Sequence, residues 1–88
     1  MNGRQISAAR ALIRMTQADL AALANISVPT LKRMESSNLD VLGTSNNVRT
    51  VRLVLEKQGI SFLERDSRGT GPGVSFDPDF FKVQRRAY

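Results

Sequence analysis

Apolar residues recur at helical spacing from the first turns of the chain. Ile6, Ala9, Leu12 and Ile13 mark one face of a helix over about Gln5 to Arg14. Thr16 then reads as an N-cap, with Asp19 three residues on in place of the usual Glu of a capping box. A second helix follows over about Gln17 to Ala24, with Leu20, Leu23 and Ala24 on one face. Asn25, which tolerates a left-handed backbone, closes it, and Ile26 is placed to plug the core from the turn. Ser27 caps a third helix that carries Pro29 in its first turn and runs to about Ser36, with Leu31 and Met34 inward.

A polar loop containing Gly43 spans Ser36 to Ser45. Ser45 or Asn46 opens a fourth helix over about Asn47 to Gln58, with Val48, Val51 and Leu55 inward and Gly59 as its C-cap. The periodicity then changes. Ile60, Phe62 and Leu63 suggest one short strand, and Val74 and Phe76 alternate with Gly73 and Ser75 in a second. Gly69, Gly71 and Pro72 make the stretch between them turn-rich, so the two strands fit an antiparallel hairpin. The pattern predicts a mainly α fold: a bundle of four helices over 1–59, a β-hairpin extension over 60–76 and a tail over 77–88.

Composition narrows the chemistry. The 88 residues suit a single domain, and 41% are hydrophobic, enough for a core. A core of this size is marginal, so pairing with a second copy would help. No apolar run nears the roughly 20 residues that span a bilayer, and the polar start lacks a signal-peptide pattern. The expectation is a cytoplasmic protein with no membrane contact. There is no cysteine and no histidine. Disulfides, thiolate or imidazole metal sites, and Cys–His or Ser–His catalysis are therefore excluded. The acidic residues are scattered without ligand spacing, so neither metal nor cofactor is expected, and the chain does not read as an enzyme. The net charge is +5, of which residues 1–59 carry +4. A basic balance of this kind suits a polyanionic partner.

The specific feature is the unit TQADLAALANISVPTLKRME, Thr16 to Glu35: a capped helix, a turn of about three residues, and a second capped helix. Ala21 stands where two steeply crossing helices need a small side chain. Leu20, Ile26, Leu31 and Met34 supply the apolar contacts, while Gln17, Thr30, Lys32 and Arg33 are left to face outward. This is the helix-turn-helix pattern, whose second helix enters the major groove of duplex DNA. The segment resembles the Xre family of lambda-repressor and Cro-like proteins, over about Ile6 to Leu55. The likeness rests on Thr16-Gln17, Leu20-Ala21, Ile26-Ser27, Leu31 and Met34-Glu35. Asn25 replaces the usual turn glycine, Met34 an isoleucine, and Ser36-Ser37-Asn38 stands where the family has a glycine. The tail, with Gly59-Ile60-Ser61-Phe62 and Gly71-Pro72-Gly73-Val74, is also similar to small members of the family.

The resemblance implies a lambda-repressor-like bundle and a double-stranded DNA partner. It implies that Gln17, beside the capping Thr16, contacts a phosphate and braces the recognition helix, and that Arg10 and Glu35 form a structural ion pair between the first and third helices. Val28, Thr30 and Arg33 are the candidate base readers. Arg33 can meet guanine O6 and N7 with two donors, and Val28 and the Thr30 methyl can touch thymine methyls. Lys32 suits a base or a phosphate. Ser45, Asn46 and Asn47 open the fourth helix, whose free N–H groups attract phosphate, with Arg49 one turn further in. For each there is a plainer role: a polar first turn at Gln17, a solvated face at Arg33 and Val28, simple capping at Ser45.

Three functions fit. The first is a sequence-specific transcriptional regulator, a homodimer reading a palindromic operator, since one helix reaches few base pairs. The hairpin is the candidate for assembly, because an isolated pair of strands leaves open edges. The second is an anti-activator that captures another protein, with Phe80 and Phe81 as an apolar surface. The third is an antitoxin combining both. Arg85 and Arg86 form a basic end, either solvated or a phosphate-touching arm.

Overall fold

The computed structural model describes residues 1–37, 46–63 and 72–79. Among these, four helices precede two strands: α1 Gly3–Ile13, α2 Gln17–Ala24, α3 Val28–Glu35, α4 Asn46–Lys57, β1 Ile60–Leu63 and β2 Gly73–Phe76. The mainly α reading with a C-terminal hairpin therefore stands.

The helix ends follow from capping chemistry. α1 begins at Gly3, two residues before the Gln5 start that the sequence pattern predicts. Asn2 Oδ1 accepts from Gln5 N at 2.9 Å and Gln5 Oε1 accepts from Asn2 N at 2.8 Å, a reciprocal box that satisfies two orphan donors. Thr16 and Asp19 close the same box on α2, at 3.0 and 3.4 Å. Ser27 Oγ accepts from Thr30 N at 3.2 Å to start α3.

α1 and α2 end alike. Arg14 and Asn25 both take φ 57. Met15 N donates to Arg10 O and Ile26 N to Ala21 O, each at 2.9 Å, while Arg14 N and Asn25 N bond Ala11 O and Ala22 O. This is the Schellman arrangement, and the residue after each left-handed position, Met15 or Ile26, is half-buried against the core. α3 ends differently. Ser36 stays right-handed at φ −79, and its hydroxyl donates to Arg33 O at 2.9 Å. A serine in this conformation needs no left-handed turn, so the glycine missing after Glu35 is not required. Gly59 ends α4 at φ 95.

The core joins Ile6 and Ala9 of α1, Leu20, Ala21 and Ala24 of α2, Leu31 and Met34 of α3, Val51 and Leu55 of α4, and Ile60 of β1. Two sequence assignments need correcting. Leu12 is 47% and Leu23 56% exposed. At about 100° per residue, Leu23 lies roughly 110° from the middle of the arc that Leu20, Ala21 and Ala24 bury. Leu12 sits beyond the edge of the α1 arc, past Gln5, which is itself buried.

β1 and β2 pair antiparallel from Ile60↔Phe76 to Leu63↔Gly73. Ile60, Phe62, Val74 and Phe76 share the face packed on the helical core, while Ser61 and Ser75 face away. The last register pair is held to α1 by one side chain. Gln5 Nε2 donates to Leu63 O at 3.0 Å and to Gly73 O at 2.9 Å. Its amide therefore spends both donors on the hairpin and its oxygen on the α1 cap. Arg52 adds a guanidinium 5.3 Å from the Phe62 ring centroid, joining α4 to β1. No helix among the described residues is long and apolar enough to cross a membrane.

Candidate functional site

α2 and α3 are joined by Asn25, Ile26 and Ser27 alone. Asn25 reverses the chain in its left-handed conformation and Ser27 immediately caps the next helix, so three residues complete the turn. Burial of Leu31 and Met34 fixes which side of α3 faces in. Lys32 and Arg33 consequently stand exposed, with Thr30 half-buried beside them.

The far end of α3 is locked by Glu35, whose side chain is 6% exposed. Arg10 grips it with a two-pronged fork: Nε donates to Oε2 and Nη2 to Oε1, both at 2.7 Å. The third guanidinium nitrogen, Nη1, donates to Met15 O at 3.1 Å, in the turn leading to α2. Ser7 Oγ and Gln17 Nε2 also donate to Glu35 Oε1, at 2.9 and 3.1 Å. One carboxylate therefore ties together α1, α2 and α3. Burial alone would raise its pKa. The hydrogen bonds from Arg10, Ser7 and Gln17 and the Arg10 charge outweigh that, and the group is held below its ordinary 4.5. Beneath this cluster α1 and α3 meet backbone to backbone. Gly3 N donates to Ser37 O at 3.1 Å, and a Cβ on Gly3 would overlap the carbonyls of Met34 and Glu35.

The predicted residues divide into groups. Arg10, Gln17 and Glu35 come together, and the Arg10–Glu35 pair forms as expected. Gln17 uses its amide N–H on Glu35, so it braces α3 directly. Thr16 is exposed at the start of α2. Thr30 and Arg33 share a small surface network: Thr30 Oγ1 accepts from Ser27 Oγ at 2.8 Å and from Arg33 Nη2 at 3.4 Å. Val28 is half-buried and packs against the core, which leaves only part of it for an outside partner. Asn46, Asn47 and Arg49 are exposed on α4, which packs against α2. Thr50 Oγ1 donates to Asn46 O at 2.7 Å in the first turn. Ser45 lies outside the described residues, as do Phe80, Phe81, Arg85 and Arg86.

Sequence reasoning missed Ser7, Gly3 and the Met15 carbonyl. Ser7 had a readable signal, since it lies one turn before Arg10 on the same face of α1. Met15 had none, because a carbonyl acceptor carries no residue signature. The outward side of α3 offers the Arg33 guanidinium next to the Thr30 hydroxyl, with the Lys32 ammonium on its other flank. Neither protein-family models nor curated proteins give a match to this chain.

Proposed function

We propose that the chain is a sequence-specific DNA-binding regulator of the Xre type, with a lambda-repressor-like arrangement of helices and α3 as the element that enters the major groove. The observation that carries this reading is the exposure of Lys32 and Arg33 on a short helix whose opposite face is buried and whose end is clamped by the Glu35 cluster. A groove reader needs such rigidity, because base contacts discriminate only when the donors are already in place. Arg33 reads guanine, releasing its long contact to Thr30. Lys32 meets phosphate, and the α4 residues Asn46, Asn47 and Arg49 add backbone contacts. The protein acts as a homodimer, since two recognition helices about 34 Å apart read the two halves of a palindrome.

Footprinting on the DNA upstream of its own gene tests this. A protected palindrome is expected. Arg33→Ala should cost about 1–3 kcal/mol and relax the preference at one base pair, while Lys32→Ala should reduce the salt slope by about one. Absence of protection at moderate salt, with both variants indistinguishable from the parent, refutes the reading. A concentration-independent monomer in sedimentation without DNA removes the preformed dimer.

A further inference from the structure

The start of α1 sets two requirements on consecutive residues. Asn2 must cap the helix: its Oδ1 accepts from Gln5 N at 2.9 Å, and its own N–H donates to Gln5 Oε1 at 2.8 Å. Gly3 must be small: it is buried, and a Cβ there would overlap the carbonyls of Met34 and Glu35. The fold therefore places a glycine directly after an asparagine. In such a dipeptide the glycine nitrogen can attack the side-chain amide carbon, because no side chain shields it. A bond forms from Gly3 N to Asn2 Cγ, a base in solvent takes the Gly3 proton, and the Asn2 amide nitrogen takes a proton from water and leaves as ammonia. The product is a cyclic succinimide. Water then opens the ring at either carbonyl. One opening leaves aspartate in an ordinary chain; the other leaves isoaspartate, with the backbone running through the side-chain carbons.

Both reacting groups are engaged in the folded chain. Gly3 N–H donates to Ser37 O at 3.1 Å, which hides the nucleophile from the base that must deprotonate it. Asn2 is extended at φ −108 and ψ 172, and ring closure has to turn its Cγ onto Gly3 N and draw Oδ1 off Gln5 N. The first restraint exists only while α1 lies against the end of α3, where the chain presents the Ser37 carbonyl.

We propose that Asn2–Gly3 is a self-modifying site held inactive by the contact of α1 with the end of α3. Opening of that contact frees the Gly3 nitrogen and exposes the chain to conversion. The two products differ in consequence. Aspartate keeps an oxygen for Gln5 N and puts a negative charge at the N-terminal end of a helix whose first turn has no acidic residue. Isoaspartate lengthens the path from Asn2 to Gly3 by one carbon, which shifts Gly3 N–H off Ser37 O and keeps the contact from being remade. The inference is independent of what α3 binds.

Peptide mass spectrometry on the full chain tests it. The protein is held at mildly alkaline pH in buffer and, in parallel, in urea that unfolds it, and the amide-to-acid mass change at Asn2 is followed in time. Conversion should be at least about tenfold slower in the folded chain. Hydrogen exchange of the Gly3 amide, read by NMR, should show protection of the same order, because one opening exposes the nitrogen to both reactions. Equal conversion rates in the two states overturn the proposal. So does slow conversion with an unprotected Gly3 amide, since the Asn2 cap alone is then the restraint. The Asn2→Asp variant, which reproduces the aspartate product, should unfold at the parent's urea midpoint or above it. Chains isolated in the isoaspartate form should unfold at a lower one; isoaspartate chains as stable as the parent contradict the role given to Ser37.

Discussion

Replacing Glu35 by alanine is the most demanding test of the cluster that positions α3. The substitution removes the acceptor of four hydrogen bonds, two from Arg10 and one each from Ser7 and Gln17. It also leaves the Arg10 guanidinium, with its side chain only 19% exposed, with the Met15 carbonyl as its remaining partner. Breaking one side of a buried pair costs about 3–5 kcal/mol, because the surviving charge stays desolvated. Arg10 can swing partly into water, so a loss of about 3 kcal/mol is expected, at the low end of that range. A domain of this length is stable by roughly 4–13 kcal/mol, so the loss is a large share of the total. Urea unfolding followed by far-UV circular dichroism measures it as a drop in midpoint at constant slope. The double variant Arg10→Met/Glu35→Leu should recover most of the loss, since apolar side chains of similar volume leave no stranded charge. A single-variant loss below about 1 kcal/mol, within the range of an exposed pair, would refute the account. So would a double variant no better than Glu35→Ala.

The same carboxylate sets a pH dependence. Its folded pKa lies below the ordinary 4.5, so the unfolded chain binds the extra proton first. The contribution is fully present above about pH 5 and is lost as pH falls through the folded value; urea titrations from pH 7 to 3 should lose less stability in Glu35→Gln than in the parent. Gly3→Ala should destabilise by about 1–3 kcal/mol, because the new methyl meets the fixed carbonyls of Met34 and Glu35 and not a flexible side-chain end. A thermal midpoint equal to the parent's contradicts that close approach. Arg14→Gly should stabilise by up to about 1 kcal/mol, since the left-handed backbone at φ 57 costs an ordinary residue about 1–2 kcal/mol, against about 0.4–1 kcal/mol of added chain entropy for glycine. A lowered urea midpoint contradicts it.

What the sequence made legible is what depends on local chemistry. Thr16, Asn25 and Ser27 announce helix ends because their side chains or backbone preferences act within three residues, and α2 runs over the residues foreseen. α4 shifts by one residue at each end, within the fraying of any helix terminus. α1 extends two residues further toward the N-terminus than its apolar pattern marks, because its start is set by the Asn2–Gln5 capping box and not by Ile6. Leu12 and Leu23 mislead for a different reason. Helical periodicity shows that a residue lies near an apolar arc, but which part of the arc is covered depends on where the neighbouring helices cross. Of the proposed α3 surface, Lys32 and Arg33 stand exposed as the Leu31 and Met34 spacing requires. The Gln5 bridge to Leu63 and Gly73 could not be foreseen, since its acceptors are carbonyls 58 and 68 residues away.

The two buried polar side chains explain how so small a core positions α3. Apolar packing among ten residues fixes which faces meet but is weakly directional. Directional bonds add to it. Glu35 holds the C-terminal end of α3 to both preceding helices, and Gln5, one turn before Ala9 on α1, holds the hairpin to the same helix. α1 is therefore the common reference to which α3 and the hairpin are both pinned. Ser7 lies between Gln5 and Arg10 in the sequence, so all three polar anchors fall within six consecutive residues of α1. One helix thus carries both the amide that holds the hairpin and the guanidinium that holds Glu35.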